Sequence, residues 1–157
     1  MFVQLFADKW LIAIVLVGAV AGLYWVYTTR PRMQQLLPYI LMAGLTSLLV
    51  GKLLSLLPIQ EGRPFVEQGV SAGAAFINNP GFPSDHALLA TVVVTVVYIL
   101  TPYKKLSYGL MVLTLLMCIA RVMALVHTPL DIVGGLVAGL SGTVWYYKLK
   151  QNIKAVS

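Results

Sequence analysis

The chain has 157 residues, of which 59% are hydrophobic and only 10% charged, with a net charge of +6. That balance excludes an ordinary soluble domain and points to an integral membrane protein. The length suits one domain, residues 1–157, with about five or six helical spans of roughly 20 residues each.

Five apolar runs predict the spans in chain order: 10–27, 34–57, 85–101, 106–126 and 130–147. They are too long for strands and lack strict alternation, so an all-α polytopic transmembrane bundle is expected, not a β-barrel. In the first run, Ala19-Val20-Ala21 resembles a signal-peptidase site. The preceding Asp8-Lys9 pair lacks the positive charge of a signal n-region, so the span is expected to be retained. Between the second and third runs lies the one stretch of loop composition, with Gly62, Pro64, Gly69, Gly73, Pro80 and Gly81. Apolar residues recurring from Phe65 to Ile77 predict a short interfacial helix there, and Asn78-Asn79-Pro80-Gly81 predicts a turn. Cys118 is the only cysteine and falls inside the fourth run, where it reads as a small buried hydrophobe.

The basic excess follows the positive-inside rule better than it suits a nucleic-acid partner. Arg30, Arg32, Lys104, Lys105, Lys148, Lys150 and Lys154 account for seven of the 11 basic residues, and five alternating spans put them all on one side. That side is expected to be cytoplasmic. Tryptophans 10, 25 and 145 fall at span ends, where aromatic belts form.

The opposite, external side then collects Asp8, Lys9, Lys52, Glu61, Arg63, Glu67, Asp85, His86, Arg121, His127 and Asp131. Each has a bland reading. Lys52, about 9 Å before Pro58 at the helical rise, and Arg121 could snorkel to the interface. Ser84 or Asp85 could be an ordinary helix cap. His127 and Asp131, four residues apart, could be a structural pair. Jointly the bland readings are poor, because basic and imidazole groups from several span ends gather at one surface. A helix starting near Ser84 offers free backbone N–H groups suited to a phosphate. Asp131 in the first turn of a helix begun by Pro129 can hold one His127 ring nitrogen and leave the other nucleophilic.

Arg63-Pro64, then Pro83-Ser84-Asp85-His86, then Arg121-x5-His127-x3-Asp131 resemble, in the right order, the three motifs of the type 2 phosphatidic acid phosphatase (PAP2) superfamily. The resemblance runs from about Lys52 to Asp131. It departs from the family pattern at three places. The family lysine position is Leu56, with Lys52 one helical turn earlier; the serine before the motif arginine is Ala120; and the motif glycine is Asp85. The Pro-Ser-Asp-His variant is similar to that of bacterial undecaprenyl pyrophosphate phosphatases of the bacitracin-resistance type.

The resemblance implies a membrane lipid phosphatase working through a phosphohistidine. His127 is then the nucleophile, Asp131 orients it, and His86 serves as acid and base. Arg63, Arg121, Ser84 and, at its unusual spacing, Lys52 bind phosphate. Asp85 either fixes the His86 tautomer or repels unsuitable anionic lipids. The site is expected to face outward across a bacterial inner membrane, and the partner is an isoprenoid or phospholipid phosphate. No cofactor or metal is expected, since the sequence offers neither a carboxylate cluster for Mg²⁺ nor a Cys/His zinc pattern. Other readings fit part of the pattern: a phosphatase or phosphotransferase for phosphatidylglycerophosphate or phosphatidic acid, a bis-histidine haem protein, or a non-catalytic lipid binder.

Overall fold

A computed structural model describes residues 2–30, 33–59, 62–79 and 81–156, with the backbone alone at residues 2, 33 and 150–156. Among these residues the chain is all-helical, as expected. Helices α1 (Phe2–Thr29), α2 (Met33–Leu54), α4 (Asp85–Leu100), α5 (Lys104–Met123), α6 (Pro129–Ser141) and α7 (Thr143–Val156) form a transmembrane bundle, and α3 (Pro64–Glu67) is a single turn. Three of the helices, α1, α2 and α5, are long and apolar enough to cross a membrane individually. The third span, α4, has 16 residues, about 24 Å at the helical rise. That falls short of a hydrocarbon core of roughly 30 Å.

α4 is the hub of the bundle and packs against α1, α2, α5, α6 and α7. Its buried face is Ala87, Leu88, Ala90, Thr91, Val94 and Val97, against which Ile14, Leu110, Met117 and Ile132 close the main core. Small residues bring α6 in. A Cβ on Gly135 would lie 2.8 Å from Ala87 Cβ and 3.2 Å from Leu88 N, and one on Gly139 would lie 2.6 Å from Thr91 Cβ. Backbone contact at this range has no room for a methyl group. Many apolar side chains on the outside, such as Leu16, Val20, Leu45, Leu49, Val112 and Val133, remain exposed, as a lipid-facing surface should.

Three expectations need correction. The first helix begins at Phe2, so Asp8 and Lys9 lie within it and not before it. The expected single fifth span is two helices, α6 and α7, meeting at Gly142. There α2 presses close: a Cβ on Gly142 would lie 2.7 Å from Ser47 Oγ, Ser47 Oγ donates to Gly139 O, and Trp145 Nε1 donates to Thr46 Oγ1. The expected interfacial helix over 65–77 shrinks to Pro64–Glu67. Gly69 at φ +64° ends it. Beyond that, backbone groups that a helix would pair internally go elsewhere. Gly73 N donates to Ala124 O, Ala75 N to Asp8, and Ala75 O and Ile77 O accept from arginines. Residues 70–79 are therefore an irregular strap laid over the end of the bundle. Within the expected turn at 78–81, Gly81 has φ +100°; Pro80, like Arg32 and Glu61, lies outside the described residues.

Gly135→Ala is expected to destabilise the protein by about 1–3 kcal/mol through overpacking, lowering its unfolding temperature in detergent by several degrees. Gly109→Ala, where a Cβ meets nothing within 4 Å, is expected to leave it unchanged. Equal unfolding temperatures for the two variants would contradict the close α4–α6 contact.

Candidate active site

The site lies where one end of the bundle gathers the N-termini of α4 and α6, the C-terminus of α5 and the strap. Local sequence sets each of these ends. Ser84 caps α4, accepting from Ala87 N at 3.5 Å. Thr128 caps α6 ahead of Pro129, and Thr128 and Asp131 form a reciprocal capping box: Asp131 N donates to Thr128 Oγ1 (3.2 Å) and Thr128 N to Asp131 Oδ2 (2.7 Å). Ser84 N donates to Asp131 O at 2.9 Å, which registers one helix start against the other.

A cavity of about 170 Å³ opens there, lined by Asp85, His86, Arg121, His127, Arg63, Gly81 and the strap residues Ala75, Phe76, Ile77 and Asn79. It is smaller than the roughly 300–1,000 Å³ typical of sites that enclose a drug-sized ligand. His127 is buried, and its Nδ1 lies 3.3 Å from Asp131 Oδ2. Burial pushes the His127 imidazole below its ordinary value. The hydrogen bond to Asp131 opposes that shift, and the charges of Arg121 and Arg63 add to it. The net shift favours the neutral ring, whose Nδ1 faces Asp131 while Nε2 makes no part of that pair.

Both arginines are almost wholly buried, Arg63 at 6% and Arg121 at 2% exposure. Arg63 donates to Val126 O (2.5 Å), Ile77 O (3.0 Å), Asn79 O (3.3 Å) and Asn79 Oδ1 (2.6 Å), and its guanidinium lies over the Phe76 ring. Burial lowers it from its ordinary value and the Asp131 and Asp85 carboxylates oppose this; a guanidinium stays charged regardless. Arg121 Nη2 donates to Ala75 O (3.0 Å), and its Nη1 lies 3.3 Å from Ala7 O, 3.3 Å from His86 Nε2 and 3.5 Å from Asp8 Oδ1. Arginine cannot accept, so His86 Nε2 presents a lone pair to it. Arg121 Nε is buried with no partner, as is Asp131 Oδ1.

The structure thus brings together His86, His127, Arg63, Arg121 and Asp85 on one cavity, with Asp131 behind His127. It does not bring Ser84 or Lys52 to the cavity wall. Ser84 is fully buried with its hydroxyl committed to the cap. Lys52 is exposed on the last turn of α2, where its backbone carbonyl accepts from Ser55 Oγ. Two polar residues around the cavity were given no site role from sequence: Asn79, expected only in a turn, which orients Arg63, and Asp8, expected on the same external side, which reaches Arg121 from α1. Neither belongs to a motif; only Asp8, the one carboxylate on a largely apolar helix, carried a signal. Among the described residues no three His, Cys, Asp or Glu side chains converge as a metal site would need.

Fold and cavity together define a polytopic membrane helix bundle with a cationic, histidine-bearing pocket at one end. The family model of the PAP2 superfamily matches residues 11–155, and the chain belongs to that superfamily. The Escherichia coli (strain K12) protein named "Putative undecaprenyl-diphosphatase YbjG" is 36% identical over 164 residues, covering 96% of this chain and 78% of that protein. No solved structure matches the chain.

Because Asp131 raises the His127 pKa against burial, Asp131→Asn is expected to lower it further. With only two histidines in the chain, imidazole NMR titration in micelles can follow each one. A His127 pKa that stays the same or rises in this variant would contradict the pairing.

Proposed function

We propose that the protein is a lipid phosphatase that hydrolyses undecaprenyl diphosphate to the monophosphate through a phosphohistidine at His127. The observation that carries this reading is the convergence of two buried arginines and two histidines on one small cavity. One histidine is backed by a carboxylate, and one buried arginine N–H still lacks a partner. A buried cation with an unsatisfied N–H favours an anionic ligand. Membership of the PAP2 superfamily supports phosphate chemistry, and the similar Escherichia coli protein supports the polyprenyl diphosphate as substrate.

In the proposed first step, His127 Nε2 attacks the terminal phosphorus. The bond from that phosphorus to the bridging oxygen breaks, and its electron pair goes to the leaving lipid monophosphate, which takes a proton from His86. Asp131 stabilises the positive charge gained by the His127 ring. In the second step, water attacks the phosphohistidine while His86 accepts its proton. The nitrogen–phosphorus bond breaks, its electron pair returns to His127, and inorganic phosphate leaves. Arg63 and Arg121 stabilise the charge on the equatorial oxygens. A phosphate at Arg121 offers that side chain a stronger acceptor than His86 Nε2 does, which frees this nitrogen to carry the catalytic proton. No step requires a metal. Asp85, on the cavity wall beside His86, adds a negative charge that disfavours a poorly placed anion.

The pocket lies at the N-terminal end of the short α4, and Arg30, Lys104, Lys105 and Lys148 lie at the other end of the bundle. The positive-inside rule then faces the pocket to the extracytoplasmic side of the inner membrane. A tail in the bilayer and a head group at the interface meet the apolar helices and the cationic cavity respectively.

Phosphate release from a panel of undecaprenyl diphosphate, phosphatidylglycerophosphate and phosphatidic acid in micelles tests the reading, with EDTA present. Undecaprenyl diphosphate is expected to turn over fastest. His127→Ala is expected to reach background, and His86→Ala to lose about 10²–10⁴-fold, the usual worth of general acid–base catalysis. Full activity of His127→Ala would sink the mechanism, and a preference for phosphatidic acid would shift the substrate.

A further inference from the structure

α1 carries two charged residues along 28, Asp8 and Lys9. Lys9 is exposed, but Asp8 turns inward, and its carboxylate accepts from Ala75 N at 3.0 and 3.2 Å. The same carboxylate lies 3.5 Å from Arg121 Nη1, at 17% exposure. Arg121 Nη2 in turn donates to Ala75 O. Three residues from three parts of the fold therefore close a ring: Asp8 holds the N–H of Ala75, Arg121 holds its carbonyl, and Asp8 faces Arg121. The neighbouring Ala7, Ala74, Ala120 and Ala124 belong to one buried cluster, and their small side chains let α1 and the strap approach this closely.

We propose that Asp8 is a positioning residue for the reaction, orienting Arg121 and the cavity wall at Ala75–Ile77 without touching the substrate. The inference rests on the phosphatase reading above. The physical need is clear from burial: a guanidinium at 2% exposure requires a counter-charge, and removing one partner of such a pair leaves the other uncompensated. Among the described residues Asp8 is the one carboxylate in ion-pair range of Arg121. It engages the Nη1 end, while the unpartnered Nε remains for an anion. Without the Asp8 charge, Arg121 is free to swing toward His86 Nε2, its neighbour at 3.3 Å, and the hold on Ala75 N weakens.

The test measures kcat and KM with undecaprenyl diphosphate in micelles for the wild type, Asp8→Asn, Arg121→Lys and the double variant. Asp8→Asn keeps the size and one acceptor oxygen but removes the charge. It is expected to lose roughly tenfold or more in kcat, as groups that orient an active side chain usually do. The double variant is expected to fall within about twofold of Arg121→Lys alone, because residues acting through one contact are not additive. Asp8→Asn activity within twofold of wild type, or losses that multiply in the double variant, would overturn the proposal. If Asp8→Asn does not give a monodisperse protein, Asp8→Glu carries the test. It keeps the charge and is expected to stay within about fivefold of wild type; a larger loss in a folded protein overturns the role. A wild type that releases phosphate from none of the lipids overturns the proposed function itself. An active wild type with an indifferent Asp8 variant overturns the Asp8 role alone.

Discussion

The starts of α4 and α6 lie side by side because their backbones nearly touch at Gly135 and Gly139. Ser84 N donating to Asp131 O then fixes the register between the two helix starts. His86 stands two residues after Ser84 and His127 stands just before the Thr128 cap, so the backbone contact puts both histidines on one cavity. A side chain at either glycine would wedge the helices apart and separate the imidazoles. The same packing explains why a helix as short as α4 sits at the centre: every neighbour except the single-turn α3 leans on it.

The second constraint is the cost of burying two arginines. Neither guanidinium could sit almost fully inside the bundle without several acceptors. Backbone carbonyls of the strap provide most of them: Ile77 and Asn79 for Arg63, and Ala75 for Arg121. The arginines therefore organise the strap as much as the strap walls the cavity. Carbonyl dipoles satisfy most of the guanidinium hydrogens without adding a negative charge; Arg121 also has Asp8 in ion-pair range, and its Nε keeps no partner.

The bundle and the core of the pocket were legible in the sequence because they rest on local patterns. Long apolar runs marked the helices. Pro129 and Asp131, with the right spacing to His127, marked a helix start that orients an imidazole, and the structure shows the capping box there. Arg63, His86, Arg121 and His127 could be grouped because span alternation puts them at one end. What was not legible depends on contacts between distant segments. The strap looked amphipathic enough to be a helix, but its amide and carbonyl groups are bound by Asp8, Arg121, Arg63 and Ala124, up to 67 residues away. The break at Gly142 depends on α2 pressing on it, and the inward turn of Asp8 on small residues elsewhere. Ser84 had two plausible uses, cap and phosphate donor, and the fold commits its hydroxyl to the cap.

His127 is proposed to carry the phosphoryl group between lipid and water. Rapid acid-free quenching of the wild-type protein, in excess over undecaprenyl diphosphate labelled in its terminal phosphate and sampled through the first turnover, is the decisive test, because every turnover must pass through labelled protein. The expected result is protein-bound label that survives alkali, is lost in acid and maps to the peptide containing His127. Product release at a measurable rate with no labelled protein, or label on any other residue, would contradict it.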